Sequence, residues 1–149
     1  MSILATMEAA RREADPARLI AAIPYAAYLG VTAELEGDSL TTRLPFRQDL
    51  IGNPYLPALH GGAVGAFLEL TAVLVLLWRL ESVTLPRSVT LSVDYLRSAG
   101  PRDSFAHGQV TRLGRRVANV RVEAWQDDPA RPVAQGQAHL LLTPPGAEA

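Results

Sequence analysis

Between residues 61 and 81 the chain runs for roughly twenty residues without a proline and is apolar almost throughout, and no other feature of the sequence constrains the fold as much. Strands rarely exceed about ten residues, so length selects a helix even though Val and Thr recur in the run. Apolar side chains in "GGAVGAFLELTAVLVLLW" cover nearly the whole circumference of such a helix. A helix of that kind is wrapped by other structure rather than laid on a surface. Its apolar part, residues 63–78, falls short of the roughly 20 residues a membrane span requires and carries Glu69 near its centre, so a buried core helix is expected and no membrane span.

The flanking segments say what does the wrapping. "ILATMEAARREA" and "DPARLIAAIPYAAYLG" read as one or two short helices, the second with Asp15 as N-cap, Pro16 at its first helical position and Gly30 as its stop. "VTAELEGDSLTTRLPF" alternates on either side of Gly37-Asp38, a hairpin signal, and "RQDLIGNPYLPAL" reads as a loop broken by Gly52, Pro54 and Pro57. Beyond the long helix, "SVTLSVDYLRSA" alternates strictly, with Val89, Leu91, Val93 and Tyr95 on one face and Ser88, Thr90, Ser92 and Asp94 on the other. Two long strands hinged at Gly114 follow, then a last strand in "RPVAQGQAHLLLT" after a turn over residues 127–131, and a frayed tail, "PPGAEA". Strands gathered around one apolar helix define an α+β layer, a curved antiparallel sheet wrapped around a long central helix. The expected organisation is a single domain with an N-terminal helical segment (1–27), a core (28–143) and a tail (144–149). Such a sheet has edges that need cover, and pairing edge to edge with a second copy predicts a homodimer.

Composition narrows the chemistry. The chain has 149 residues with a formal charge of −1, which leaves no general electrostatic pull toward nucleic acid. It contains no cysteine and no lysine, so thiolate metal sites, Cys nucleophiles, Schiff-base lysines and the lysine-bearing phosphate loop are all excluded. His107 and His139 fall in separate strands without metal-ligand spacing, so no metal site is expected. The N-terminus lacks the pattern of a secretory signal, and a cytoplasmic protein is expected.

A lone carboxylate in the middle of a wrapped helix is costly unless something compensates it. Glu69 is therefore either an interface acid satisfied by an Arg or a backbone amide, or a base or nucleophile whose pKa burial has raised. The same helix opens on His60-Gly61-Gly62. Glycines at a helix start let another group approach the free N–H donors, and the dipole adds positive potential, so this end can hold a developing oxyanion. Eight residues separate Gly61 from Glu69, which at 1.5 Å of rise per residue is about 12 Å along the axis. A side chain cannot bridge that and still act on a carbonyl held by Gly61. If both serve one reaction they come from different subunits, in a composite site duplicated by a two-fold axis.

These residues resemble a known family. The "N-P-x5-H-G-G-x6-E" pattern over residues 53–69, "SVTLSVDYLRSA" over residues 88–99 and the later "VTRLGRRVANVRVE" pair are similar to the hotdog-fold acyl-CoA thioesterases of the phenylacetate-pathway (PaaI-like) group, over about residues 28–143. The resemblance implies the hotdog fold, an acyl-CoA substrate, no cofactor, and homodimers that often stack into tetramers with the active site shared between subunits. It implies that Glu69 is nucleophile or general base and that the Gly61 amide, with Gly62 beside it, polarises the thioester carbonyl. Asn53 matches a loop Asn or Gln that places water or thioester, although the segment from there to His60 is one residue longer than the family pattern, and it also reads as a turn residue before proline. His60 is implied to fix the loop before the helix. Ser88 falls where some relatives carry a water-orienting hydroxyl, but alternation places it on the strand's outer face. Arg97, with Arg115 and Arg116, offers contacts for the pantetheine or nucleotide phosphates, or is surface charge. The rival readings are a hotdog hydratase or dehydratase, which would want a His-acid pair at the site, and a non-catalytic acyl-CoA-binding module.

Overall fold

The Ser2 hydroxyl accepts the Ala5 N–H at 3.2 Å and opens the first helix, α1 (Ile3–Arg12). In this computed structural model, which describes residues 2–80 and 84–143, two shorter helices follow, α2 (Pro16–Ala21) and α3 (Pro24–Leu29). Asp15 caps α2 by accepting the Ala17 N–H at 3.1 Å, as the Asp-Pro signal predicts. Three helices form where one or two were expected, because Pro24 cannot donate within a continuous helix and starts a new one instead. Gly30, at φ 73°, closes α3 in the left-handed region.

Strands β1 (Thr32–Glu36) and β2 (Ser39–Leu44) make the expected hairpin, with Gly37 at φ 62° taking the turn position where a side chain would be strained. The segment read as a loop is more ordered than that. After a 3-10 turn (Gln48–Leu50) it forms a small hairpin of β3 (Ile51–Asn53) and β4 (Ala58–Leu59), with Pro54 and Pro57 confined to its turn. The long helix α4 (Gly61–Arg79) comes next, then β5 (Leu85–Tyr95), β6 (Ser104–Leu113), β7 (Val117–Trp125) and β8 (Ala134–Thr143). The tail expected to fray, residues 144–149, lies outside the described residues.

The six long strands form one antiparallel sheet in the order β1-β2-β6-β7-β8-β5, and α4 packs across its inner face. Phe67, Leu68 and Leu74 of the helix share one core with Ala106, Val120, Val122, Ala124, Ala138 and Leu140 of the sheet. Gly136 of β8 is where the sheet has no room to give: a Cβ there would sit 2.9 Å from the Ser92 carbonyl oxygen and 3.7 Å from Leu68 Cδ1. One polar pair is buried in this core. Thr71 Oγ1 donates to the Phe67 carbonyl at 2.8 Å and lies 2.8 Å from Thr42 Oγ1, so neither hydroxyl is left unsatisfied. This is the helix-in-sheet arrangement of the hotdog fold.

Two details depart from the expected pattern. The helix is not wrapped on every side, because Gly62, Ala66, Glu69 and Val73 form a narrow open stripe over its first three turns, while Leu76 and Leu77 beyond them are buried. The alternation of β5 also breaks. Its register against β8 shifts between Ser88 and Thr90, so Val89 occupies a bulge and is 62% exposed. Ser88 then lies opposite Leu140, whose side chain is fully buried on the helix side, so Ser88 shares a face with Leu91 and Val93 rather than standing on the outer face.

Candidate active site

The start of α4 is held by backbone bonds to two neighbouring segments. Leu59 N–H donates to the Ala99 carbonyl and His60 N–H to the Leu50 carbonyl, both at 2.8 Å, so the chain enters the helix on rails set by its neighbours. Gly52 makes room for this, since a Cβ on it would come within 2.7 Å of His60 Cα. His60 then acts as N-cap: its Nδ1 accepts the Gly62 N–H at 2.8 Å, which puts the ring proton of the neutral imidazole on Nε2. The Ala63 and Val64 N–H groups both donate to the His60 carbonyl, at 3.0 and 3.2 Å.

That accounting leaves one donor. A helix start has several N–H groups with no partner in the helix, and here the Gly61 N–H is the one that makes no hydrogen bond among the described residues. Gly62, expected beside Gly61 as a second donor, is removed from that role because His60 already occupies its N–H. A cavity of about 380 Å³ opens at this point, lined by Gly61, Val64, Tyr95, Leu96, Arg97 and Ser98 among others. A second hollow of about 540 Å³ lies at the far end of α4 around Trp78 and Arg79, away from these groups.

Glu69 stands two turns further along. Gly61, Gly65 and Glu69 follow at i, i+4 and i+8, and Tyr95 of β5 lies against the first two, so the acid is on the β5 side of the helix. It is half-buried on the open stripe, and among the described residues its carboxylate has no hydrogen-bond or ion-pair partner. No Arg or amide among the described residues satisfies it. The acid and the free amide remain about 12 Å apart along one continuous helix.

The other expected residues are placed as follows. Asn53 ends β3, and its Oδ1 accepts the Tyr55 N–H at 3.0 Å, an Asx turn that uses one end of its amide and leaves the other free. Ser88 faces the helix side but lies seven residues along β5 from Tyr95, roughly 20 Å at strand rise. Arg97 lines the helix-start cavity and donates to the Pro132 carbonyl at 2.7 Å; it also borders a neighbouring hollow with Arg102 and Arg131. Arg115 and Arg116 occupy the turn between β6 and β7 and do not line the helix-start cavity. His107 does meet an acid: its Nε2 is 3.4 Å from Glu123 Oε2, on the outer face of the sheet and away from α4. Among the described residues no three His, Asp or Glu side chains gather as a metal site.

The group missed in the sequence is Tyr95. Alternation places it on the helix side of its strand, but nothing local says that its hydroxyl reaches Gly61, where it donates to the carbonyl oxygen at 2.7 Å.

A six-stranded antiparallel sheet of this order around one long helix defines a hotdog protein, and among the described residues its helix carries a free amide at the start and an unpaired acid in the middle. Residues 56–133 match the profile of the Thioesterase superfamily. A protein from Chromobacterium violaceum is 40% identical to this chain, covering 92% of it and 96% of its own length, with a TM-score of 0.75. A phenylacetic acid degradation-related protein from Ralstonia eutropha JMP134 is 23% identical, with coverage of 85% and 98% and a TM-score of 0.73. A Bacillus halodurans protein solved with CoA is 19% identical, with coverage of 80% and 78% and a TM-score of 0.71; these last two share the fold. No curated protein matches the chain in sequence. The chain belongs to the thioesterase superfamily, and its function is of the thioesterase type.

Proposed function

We propose that the protein is a cytoplasmic acyl-CoA thioesterase that works as a homodimer, alone or stacked in pairs, with each active site shared between two subunits. The observation that carries this reading is that the Gly61 N–H and the Glu69 carboxylate, both without a partner among the described residues, sit on a single helix too rigid to bring them together. The free edge of β5 supports the dimer. That strand is eleven residues long and, among the described strands, bonds only to β8, with Val89 and Tyr95 exposed along it, and a strand of this kind invites a partner. A two-fold axis that pairs β5 with its copy runs the two α4 helices in opposite directions, so the start of one approaches the middle of the other.

In such a site the thioester carbonyl oxygen accepts the Gly61 N–H of one subunit, and Glu69 of the other takes a proton from the attacking water. The tetrahedral oxyanion collapses, the C–S bond breaks, and the proton held by Glu69 passes to the departing CoA sulfur. Alternatively Glu69 attacks directly, releasing CoA and leaving an anhydride that water opens; both routes give free acid and CoA. One oxyanion donor contributes about 3 kcal/mol to such a step. In this reading Ser88, on the helix side of β5, orients the attacking water, Asn53 offers the free end of its amide to substrate, and Arg97 at the cavity rim meets the phosphates of CoA. The likeness to a protein solved with CoA supports that choice of thiol.

Thiol release from short, long and aromatic acyl-CoAs tests the reading. Wild-type protein should release thiol from at least one class, and Glu69→Gln should lower that rate by about 10²–10⁴ with its oligomer intact. Undiminished hydrolysis by Glu69→Gln would take the acid out of the mechanism. A wild-type protein that binds acyl-CoA without hydrolysing it would leave a binding module.

A further inference from the structure

The peptide unit between Gly61 and Gly62 is held at both ends. Its carbonyl accepts the Tyr95 hydroxyl at 2.7 Å, and its N–H donates to His60 Nδ1 at 2.8 Å. We propose that Tyr95 is a positioning residue for the oxyanion donor: with His60 it clamps this peptide plane, and so sets the direction in which the neighbouring Gly61 N–H points into the helix-start cavity. The inference rests on the thioesterase reading for its consequence, but the clamp itself does not.

Three observations carry it. A helix that opens Gly-Gly and has a third glycine at 65 is soft at its start, since glycine has a much weaker helix preference than alanine, so an unclamped first turn would fray. Those glycines are shaped to Tyr95: a Cβ on Gly61 would lie 3.3 Å from Tyr95 Cζ, and one on Gly65 would lie 3.3 Å from its hydroxyl oxygen. The group that approaches the bare helix start is thus this ring, which helps form the cavity wall. Tyr95 is also well anchored, because it pairs with Ala134 in the sheet and the next residue, Leu96, donates its N–H to the Val133 carbonyl at 2.8 Å. The clamp therefore ties the direction of a backbone donor to the sheet. Because both bonds act on one amide, each polarises it in the sense that strengthens the other.

The experiment compares wild type with Tyr95→Phe, which keeps the ring and removes the hydroxyl. Loss of one such bond should lower kcat about fivefold to tenfold, with KM within about twofold. In the Glu69→Gln background, the stretch of a 13C-labelled thioester carbonyl should move less on binding when Tyr95→Phe is added, a readout that a merely structural role would not move. Amide exchange at Gly62, followed by NMR without ligand, should speed up about tenfold in Tyr95→Phe. If wild-type protein hydrolyses no acyl-CoA, the functional reading falls and the exchange measurement still decides the clamp. An unmoved carbonyl stretch with wild-type kcat, or unchanged Gly62 exchange, overturns the proposal.

Discussion

Complementation between two dead subunits tests the shared site most directly. The first lesion is Gly61→Pro. Gly61 is the first helical residue, a position where proline is well accepted, and His60 already has φ −62° and ψ 132°, the extended conformation a residue before proline requires. The substitution deletes the free N–H and leaves the carbonyl that Tyr95 bonds. Its new Cβ asks the Tyr95 ring to shift by a few tenths of an ångström from a 3.3 Å contact, so the fold should survive. Losing the donor should cost about 10²–10³ in kcat. The second lesion is Glu69→Gln, which is close to isosteric and orphans no partner among the described residues. The helix holds the two positions about 12 Å apart, whereas a glutamate reaches about 5 Å from its Cα. If each site joins one Gly61 to the partner's Glu69, a mixed dimer has one site with both lesions and one with neither. Random mixing makes about half the dimers mixed, so the pool should regain about a quarter of wild-type activity per protomer. Thiol release from co-refolded variants, with wild type refolded alongside, measures this. A refolded pool no more active than its two parents would refute the composite site and the helix-rise argument beneath it.

Other outcomes follow from the scaffold. Asp103 accepts the Phe46 N–H at 2.7 Å and bonds the Arg43 guanidinium, and these contacts, the backbone one foremost, hold its carboxyl below the usual range. A lowered folded pKa stabilises above the unfolded value of about 3.9 and is lost as pH falls through the folded value. Asp103→Asn should therefore lower Tm at neutral pH, by about 1 kcal/mol in stability, and the gap from wild type should close below about pH 4; a gap independent of pH would be contrary. Gly136→Ala should destabilise by about 1–3 kcal/mol in urea unfolding, because the wall its Cβ meets is the Ser92 carbonyl of β5 and cannot rotate away. A neutral effect would mean that β5 is loosely seated. Thr42→Val removes one partner of a buried pair while Thr71 keeps its bond to Phe67, so a loss near 1 kcal/mol is expected by the same measurement, and a loss above about 3 kcal/mol would show that Thr71 depends on it.

Much of the architecture was legible because it is written in short-range patterns. Length without proline called for α4, alternation for the long strands, Asp15-Pro16 for the start of α2, and Gly37-Asp38 for the first hairpin. The family pattern around residues 53–69 marked the helix start and its acid as the place to look. What was illegible depends on parity and distance. One bulged residue at Val89 turns Ser88 from the expected outer face to the helix side, and no alternating pattern announces its own interruption. Gly61 and Gly62 are equivalent in sequence; the imidazole of His60, bonded to the second, makes only the first a free donor.

The sequence by itself determined that a long apolar helix carries one acid eight residues after a glycine start, and that this spacing forbids the two from meeting within a chain. These are properties of helix rise and side-chain period, which any few turns of chain express locally. Tertiary structure alone decided which amide stays free, that the acid has no partner among the described residues, that β5 is left as an edge of the sheet, and that the Tyr95 hydroxyl reaches the Gly61 carbonyl across 34 residues of sequence. The physical reason is that a hydrogen bond fixes a donor only when both ends are positioned to within a fraction of an ångström. For residues so far apart in sequence, the packing of helix on sheet sets that distance.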